Sequence, residues 1–285
     1  MAASQPPLAR PSLWSAFRSN RAALIGLIGA TFVVVVAFAA PLIAPFSPSE
    51  LTSSPSLMPP SATNWFGTDE LSRDVFSRVV WGSRASLLAS VLATFVALAI
   101  AVPIGLTAGY FRGPWDSVVV RLADTMLAFP FLVLAVGLAA ILGPSLTNAA
   151  LAIGISQIPQ MIRVTRGEAL AIREEDYVLA AVADGAGSGT ILLRHVLPNT
   201  ANTLLVQATI IVPFAIITES ILSFLGLGVQ PPTPSWGVML TSAQAYSGQS
   251  IWVALFPGLA IFAATLSFNV LGDGLRDALD PKFVA

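Results

Sequence analysis

Between Arg84 and Arg112 the chain runs for 27 residues without a formal charge. Comparable intervals of 28 and 38 residues lie between Arg21 and Glu50 and from Thr125 to Ile162. A helix crosses the hydrocarbon core of a bilayer with about 20 apolar residues, so each interval is long enough to span, and the third is long enough to span twice. The 14 basic and 15 acidic residues make only 10% of 285, against about 25% in a typical soluble domain. Hydrophobic residues make 55% and the mean hydropathy is +0.79. Charged side chains are what a soluble surface normally turns to water, and too few are present to cover one. The fold class expected is an all-α polytopic membrane protein.

The charge gaps predict six spans. The first covers residues 22–44 and the second residues 85–110. Gly143-Pro144-Ser145 divides 125–162 into a third and a fourth, since a Gly-Pro pair marks a turn. The fifth begins after Pro198-Asn199 and reaches Glu219, and the sixth covers 251–271, ahead of Gly272-Asp273-Gly274. Residues 220–229 are apolar but too short to cross alone, and either extend the fifth span or fold back into the bundle. The implied organisation is a tail over 1–21, one membrane domain over 22–272 and a second tail over 273–285. Its loops are expected at 45–83, 163–199 and 226–250. The first ten residues read as a polar, Pro-rich tail, and the first apolar run is too long for a cleavable signal peptide.

Lys and Arg accumulate on the cytoplasmic side of membrane proteins. With the N-terminus inside, that side carries Arg10, Arg18, Arg21, Arg112, Arg121, Arg163, Arg166, Arg173, Arg194, Arg276 and Lys282, 11 of the 14 basic residues. The opposite side keeps Arg73, Arg78 and Arg84. Both termini are therefore expected in the cytoplasm.

Counting also disfavours several chemistries. With no Cys there is no thiolate nucleophile or disulfide. A single histidine, His195, builds no multi-His metal site. The only lysine, Lys282, follows Pro281, so no Walker-type phosphate loop exists. No catalytic residue, metal site or cofactor is expected in this chain, and ATP with its Mg would have to be bound by a partner.

Residues 163–184 hold eight charges in 22 positions, which places this segment in water or on a partner. Asp176–Asp184 reads as a short helix with Tyr177, Ala180, Ala181 and Asp184 on one face. Gly185, Gly187 and Gly189 stop it, and a second run, Thr190–Val196, leads to Pro198. The small residues Ala180, Ala181 and Gly185 offer a narrow seat for another protein. An ordinary surface hairpin between two spans is the alternative.

At this point the sequence resembles the transmembrane subunits of bacterial ABC importers, whose cytoplasmic loop carries E-A-A-x3-G-x9-I-x-L-P. Ala180, Ala181, Gly185, Leu197 and Pro198 match that spacing, while Leu179 stands in place of the Glu and His195 in place of the Ile. Phe66–Leu87 is similar to the G-T-D-x-x-G-R-D-x-x-S-R segment of the C-type subunits of the dipeptide/oligopeptide (nickel) branch, with Ser72 at the usual Gly. Glu219–Leu240 and Gly272–Pro281 are similar to the same branch.

The resemblance implies a type I importer fold in a bacterial plasma (inner) membrane and a loop helix that couples to cytoplasmic ATPases. The partners it implies are a B-type sibling permease, two ATPase subunits or a fused pair, an extracytoplasmic binding protein and the lipid bilayer, with no nucleic acid. Di- or oligopeptides are the implied substrate, with glutathione and nickel chelates as variants. Glu174, Glu175 and Asp176 are candidate replacements for the missing motif acid.

Glu219 is the one carboxylate amid apolar segments, where charges are costly and often functional. It reads either as a substrate-path residue, with Phe224 nearby, or as a helix-end carboxylate at the interface. Asp69, Arg73, Asp74 and Arg78 suggest a charge-paired cap or a docking surface for the binding protein. Arg121 and Asp124, three apart, are expected to pair on one helix face. Pro103, Pro130, Pro159, Pro213 and Pro257 fall within spans as bends or packing irregularities. A self-sufficient ion-coupled carrier is the main rival function, but such carriers place several ionisable groups at mid-membrane. An intramembrane enzyme lacks any catalytic cluster.

Overall fold

The computed structural model describes residues 20–279, and no β-sheet forms among them. The tail positions 1–19 and 280–285, with Arg10, Arg18 and Lys282, lie outside the described residues. We number the principal helices α1 Arg21–Phe38, α2 Val75–Phe111, α3 Gly113–Leu127, α4 Phe131–Leu142, α5 Leu146–Arg173, α6 Asp176–Ala183, α7 Ser188–Phe224, α8 Trp236–Tyr246 and α9 Trp252–Leu279. The first ends in a short helical turn, Ala40–Ile43.

Four of these, α1, α2, α7 and α9, are long and apolar enough to cross a membrane, and the bent pair α3–α4 makes a fifth if counted as one span. The expected third span is therefore not a straight helix. Its chain turns by 90° between Leu127 and Phe131. Pro130 sits at the bend with φ −55° and ψ 131°, and a proline disfavours helical backbone in the residue before it. What remains, α4, is only 12 residues. Where the fourth span is expected the chain forms a helix, α5, which is not among those apolar enough to cross by composition and which continues through Arg163 and Arg166 to Arg173.

Alanine and glycine set the packing. The α2–α5 contact forms the centre of the bundle, with Ala89, Ala93, Ala97, Ala101, Ala149 and Ala152 buried along it. A Cβ on Gly105 or Gly109 would lie 2.8 Å or 2.6 Å from Thr165 or Arg166 of α5. Between membrane helices there is no hydrophobic drive to associate, so close backbone approach through small residues supplies the attraction.

The same rule corrects the predicted end of the sixth span. Helix α9 runs straight through Gly272-Asp273-Gly274 to Leu279. Gly274 faces Ala23, 2.3 Å from where its own Cβ would stand, and Gly26 opposes the Leu271 backbone at 2.4 Å. These glycines let α1 and α9 touch rather than stop a helix.

Residues 225–229 turn back and bury Gly228 and Val229, while residues 220–224 extend α7 to Phe224. It ends in a Schellman turn: Leu227 N–H donates to the Leu222 carbonyl at 2.8 Å and Gly226 N–H to Ser223 at 3.0 Å, with Gly226 at φ +77°. The connection that follows contains α8, a helix not expected from the sequence. Ser235 caps it, accepting from Val238 N–H, and the Trp236 indole donates to the Val79 carbonyl at 3.0 Å.

Helix α2 starts ten residues before the expected Ala85, and Asp74 explains the earlier start. Its carboxylate accepts from the Ser77 N–H at 2.8 Å and the Ser77 hydroxyl at 2.7 Å, a side-chain N-cap.

Candidate functional site

The loop between α5 and α7 is held by apolar packing and by ionic contacts to α2 and α3. Val178, fully buried, anchors α6 in a small core with Leu106, Ala169, Ile172, Ile191 and Val196. Around it α6 exposes Tyr177 on one flank and Leu179 and Val182, at i, i+3 spacing, on the other, each between 43% and 50% accessible. The helix stops in a second Schellman turn, with Ala186 N–H donating to Ala181 and Gly185 N–H to Val182, both at 3.0 Å, and Gly185 at φ +79°. Only a residue without a Cβ adopts that backbone at little cost. Nothing lies within 4 Å of a Cβ built on Gly185, so glycine there answers to conformation and not to crowding.

Ionic contacts fix the base of the loop. Glu174 pairs with Arg112 at the end of α2, and Arg173 donates to the Tyr110 carbonyl while lying 5.7 Å over its ring. Arg166 forks onto Asp116, and Arg163 pairs with Asp124 at 2.6 Å. The expected Arg121–Asp124 pair does not form, because α5 brings Arg163 across from a different helix. Of the three candidate acids, Glu174 is engaged within the chain, while Glu175 and Asp176 remain exposed.

His195 and Leu197 follow on α7. Residues Leu192–Val196 form a π-helical turn inside one continuous helix, so the expected separate re-entry segment is part of α7. Pro198 accounts for it: without an N–H, and with a ring that crowds the carbonyl four residues back, it cannot continue a regular α-turn. Leu197 packs against the Val178 core and Pro198 is exposed. Ala180 is exposed and Ala181 partly so, and Asp184 caps α6 at its C-terminus.

The charged segment ahead of α2 is a lock. Asp69 accepts from the Arg73 Nε at 2.6 Å and faces the Arg78 Nε at 3.3 Å; Arg73 also reaches Glu70 at 2.9 Å. Arg78 donates to the Pro48 carbonyl at 2.8 Å, and Asn64 donates to Asp74 at 2.9 Å. Asp69, Arg73, Asp74 and Arg78 are all buried, none above 7% exposed. Their side chains face inward, so they offer no surface to a docking protein. Ser72, at φ +60°, holds left-handed backbone, which explains why glycine is usual at that position.

Glu219 is neither at an interface nor open to a path. It is fully buried, its two oxygens accepting from Ser86 at 2.8 Å and Ser223 at 2.6 Å, with the Ser235 hydroxyl beside them. Phe224 is half-buried at the end of α7, where its carbonyl accepts from Thr241. The polar groups that line an open cavity at mid-helix depth, among apolar side chains such as Met161, Ile211 and Phe214, are carboxamides: Gln157, Gln160, Gln207 and Asn269. Being uncharged, they were passed over in the sequence; polar amides inside apolar runs were the available signal.

This arrangement defines an integral membrane protein of the type I importer fold. An inward-facing methionine transporter, MetNI, superposes with a TM-score of 0.58 at 17% identity, over 71% of this chain and 97% of the other. Residues 101–285 match the family described as binding-protein-dependent transport system inner membrane component, and residues 12–60 match the N-terminal membrane domain of oligopeptide transport permease C.

The chain is similar to a dipeptide permease of Alkalihalophilus pseudofirmus, at 44% identity over 93% of this chain and 87% of the relative. It is 44% identical to a di/tripeptide permease of Pseudomonas aeruginosa over 98% and 96% of the two chains. A glutathione permease of Escherichia coli O157:H7 is 42% identical over 94% and 89%. The chain belongs to the family of binding-protein-dependent transport system inner membrane components, the permease subunits of ABC importers. In that family the ATPase is a separate subunit.

Proposed function

We propose that this chain is the C-type half of the translocation path in an ATP-driven importer of di- or oligopeptides, and that α6 is the element its ATPases move. The observation that carries the coupling role is the geometry of α6. Val178 anchors it, Leu179 and Val182 form an exposed apolar strip at i, i+3 spacing with Tyr177 exposed on the other flank, and the base is held by Arg112–Glu174 and Arg166–Asp116. An apolar strip on a charged, water-facing loop calls for a partner surface. A helix clamped at its base transmits a push to α2, α3 and α5 together.

In this reading six segments cross the membrane, α5 among them despite its polar residues, with both termini cytoplasmic. The partners are a B-type sibling permease, two ATPase subunits or a fused pair that bind ATP and Mg, and an extracytoplasmic binding protein. The peptide substrate follows from the dipeptide and di/tripeptide relatives, and glutathione is the second reading that a relative supports.

The chain contains no cysteine, so a single introduced thiol reports one position. Leu179→Cys is expected to cross-link to the ATPase subunit in membranes of cells expressing the whole transporter, and Leu266→Cys on α9 is not. Absence of the Leu179→Cys adduct in an assembled complex contradicts the coupling role.

A further inference from the structure

A cavity of about 320 Å³ opens among α5, α7 and α9, within the roughly 300–1,000 Å³ range of small-ligand sites. Gln157 and Gln160 enter it from α5, Gln207 from α7 and Asn269 from α9. All four lie well inside their helices: Gln157 is 11 residues past Leu146, Gln207 is 17 before Phe224, and Asn269 is 17 past Trp252. Hydroxyls on the same helices, Ser156, Thr209 and Thr265, are satisfied by donating to their own backbone. The four carboxamides make no such bond among the described residues.

An unpaired carboxamide in hydrocarbon costs several kcal/mol. Four of them converging on one space therefore belong to a wet, ligand-bearing wall and not to a lipid-facing one. The cavity also has an outlet. Gln207 and Ile210 line both it and a second space of about 350 Å³ bounded by Asn202, Thr203 and Arg276. Asn202 lies toward the end of α7 that joins the loop bearing α6, and Arg276 toward the C-terminal end of α9. The polar lining thus continues from mid-depth to those helix ends, with Arg276 the first formal charge on it.

We propose that the four carboxamides form a site that reads the main chain of a peptide in transit, resting on the peptide reading above. Each carboxamide offers one acceptor oxygen and two N–H donors, and each peptide unit offers one N–H and one C=O. The match is to backbone amides, which all peptides share, so the site is tolerant of side chains. No charged residue lines the cavity itself, so neither terminus is trapped by an opposite charge, and bonds that are individually weak permit release.

The test uses the complete transporter in proteoliposomes, with trialanine and its central N-methyl analogue as probes. The double variant Gln157→Leu, Gln207→Leu is expected to slow trialanine uptake about tenfold, the equivalent of one or two lost hydrogen bonds. It is also expected to reduce the preference for trialanine over the methylated peptide, a ratio in which the binding protein's own selectivity cancels between variants. Assembly with the partner subunits is expected to be unchanged. Unaltered uptake and preference overturn the proposal, as does loss of assembly, which assigns the amides to a subunit contact.

A second measurement does not depend on the double variant folding. Gln207→Cys in this cysteine-free chain is expected to react with bromoacetyl-trialanine and to be protected by excess trialanine, whereas Leu266→Cys is not labelled. Equal labelling of the two positions, or no protection, overturns the site. A wild-type transporter that takes up no peptide removes the peptide reading itself and this inference with it.

Discussion

Glu219 on α7 accepts a 2.8 Å hydrogen bond from the hydroxyl of Ser86 on α2, across 133 residues of sequence. With Ser223 on its other oxygen, and Ser223 in turn accepting from Val229 N–H at 3.0 Å, the carboxylate ties α2, α7 and the turn leading to α8 into one buried knot. A buried acceptor supplied with its donors is a structural part, so its removal is expected to cost stability before it costs transport.

Glu219→Ala leaves two buried hydroxyls without their acceptor and opens a cavity, and is expected to destabilise the subunit by about 2–4 kcal/mol. Glu219→Gln keeps the shape and one acceptor, and is expected to cost about 1 kcal/mol with uptake within roughly twofold of wild type. Thermal unfolding in detergent beside proteoliposome uptake separates the two effects. A normally stable Glu219→Gln that transports nothing returns Glu219 to the substrate path.

Gly274 and Gly258 lie on the same helix and are expected to respond with opposite signs. A Cβ on Gly274 meets the Cβ of Ala23 at 2.3 Å, whereas nothing lies within 4 Å of one on Gly258. Gly274→Ala is expected to destabilise by about 1–3 kcal/mol through overpacking, and Gly258→Ala to stabilise by roughly 0.5–1 kcal/mol through helix propensity. Midpoints of thermal unfolding for the pair provide the check.

Ser72 holds φ +60° in the lock ahead of α2, where its carbonyl accepts from the N–H and hydroxyl of Thr52. Left-handed backbone costs a residue with a Cβ about 1 kcal/mol, and glycine's extra unfolded freedom returns roughly half of that. Ser72→Gly is expected to raise stability by up to about 0.5 kcal/mol with uptake unchanged. A lower unfolding midpoint contradicts the strain assigned to that position.

Glu174 is engaged with Arg112, while Glu175 and Asp176 are free to meet a partner. Glu174→Gln removes an exposed pair and is expected to cost no more than about 1 kcal/mol. Joint Glu175→Gln, Asp176→Asn substitution is expected to weaken ATPase association and lower ATP-driven uptake severalfold without changing the unfolding midpoint. Co-purification of the ATPase with each variant decides which acids make the contact.

The charge-free gaps located the long apolar helices α1, α2, α7 and α9, because burying charge in hydrocarbon is costly enough to leave long gaps. Glycine was harder to read. Gly185 ends α6 as its sequence position suggests, yet Gly272 and Gly274 sit mid-helix, since a glycine's absent side chain serves a turn or a close contact equally well and only the partner helix distinguishes them. The partner of Asp124 was invisible for a similar reason: Arg121 is near in sequence, Arg163 near in space. The charged run Asp69–Arg78 was recognisable as charge-paired, but its burial depends on Asn64, Pro48 and the entry into α2. The carboxamides of the cavity went unseen because the gaps were measured by formal charge alone.

Energy is expected to enter this chain from a separate ATPase through α6. The most direct test is peptide uptake into proteoliposomes containing this chain and its sibling permease, with the binding protein supplied, in the presence and absence of the ATPase subunits. Uptake is expected only with the ATPases and ATP, and is expected to fall when Gly185→Val distorts the turn that sets the angle of α6. Uptake driven by an ion gradient with no ATPase present would contradict the account.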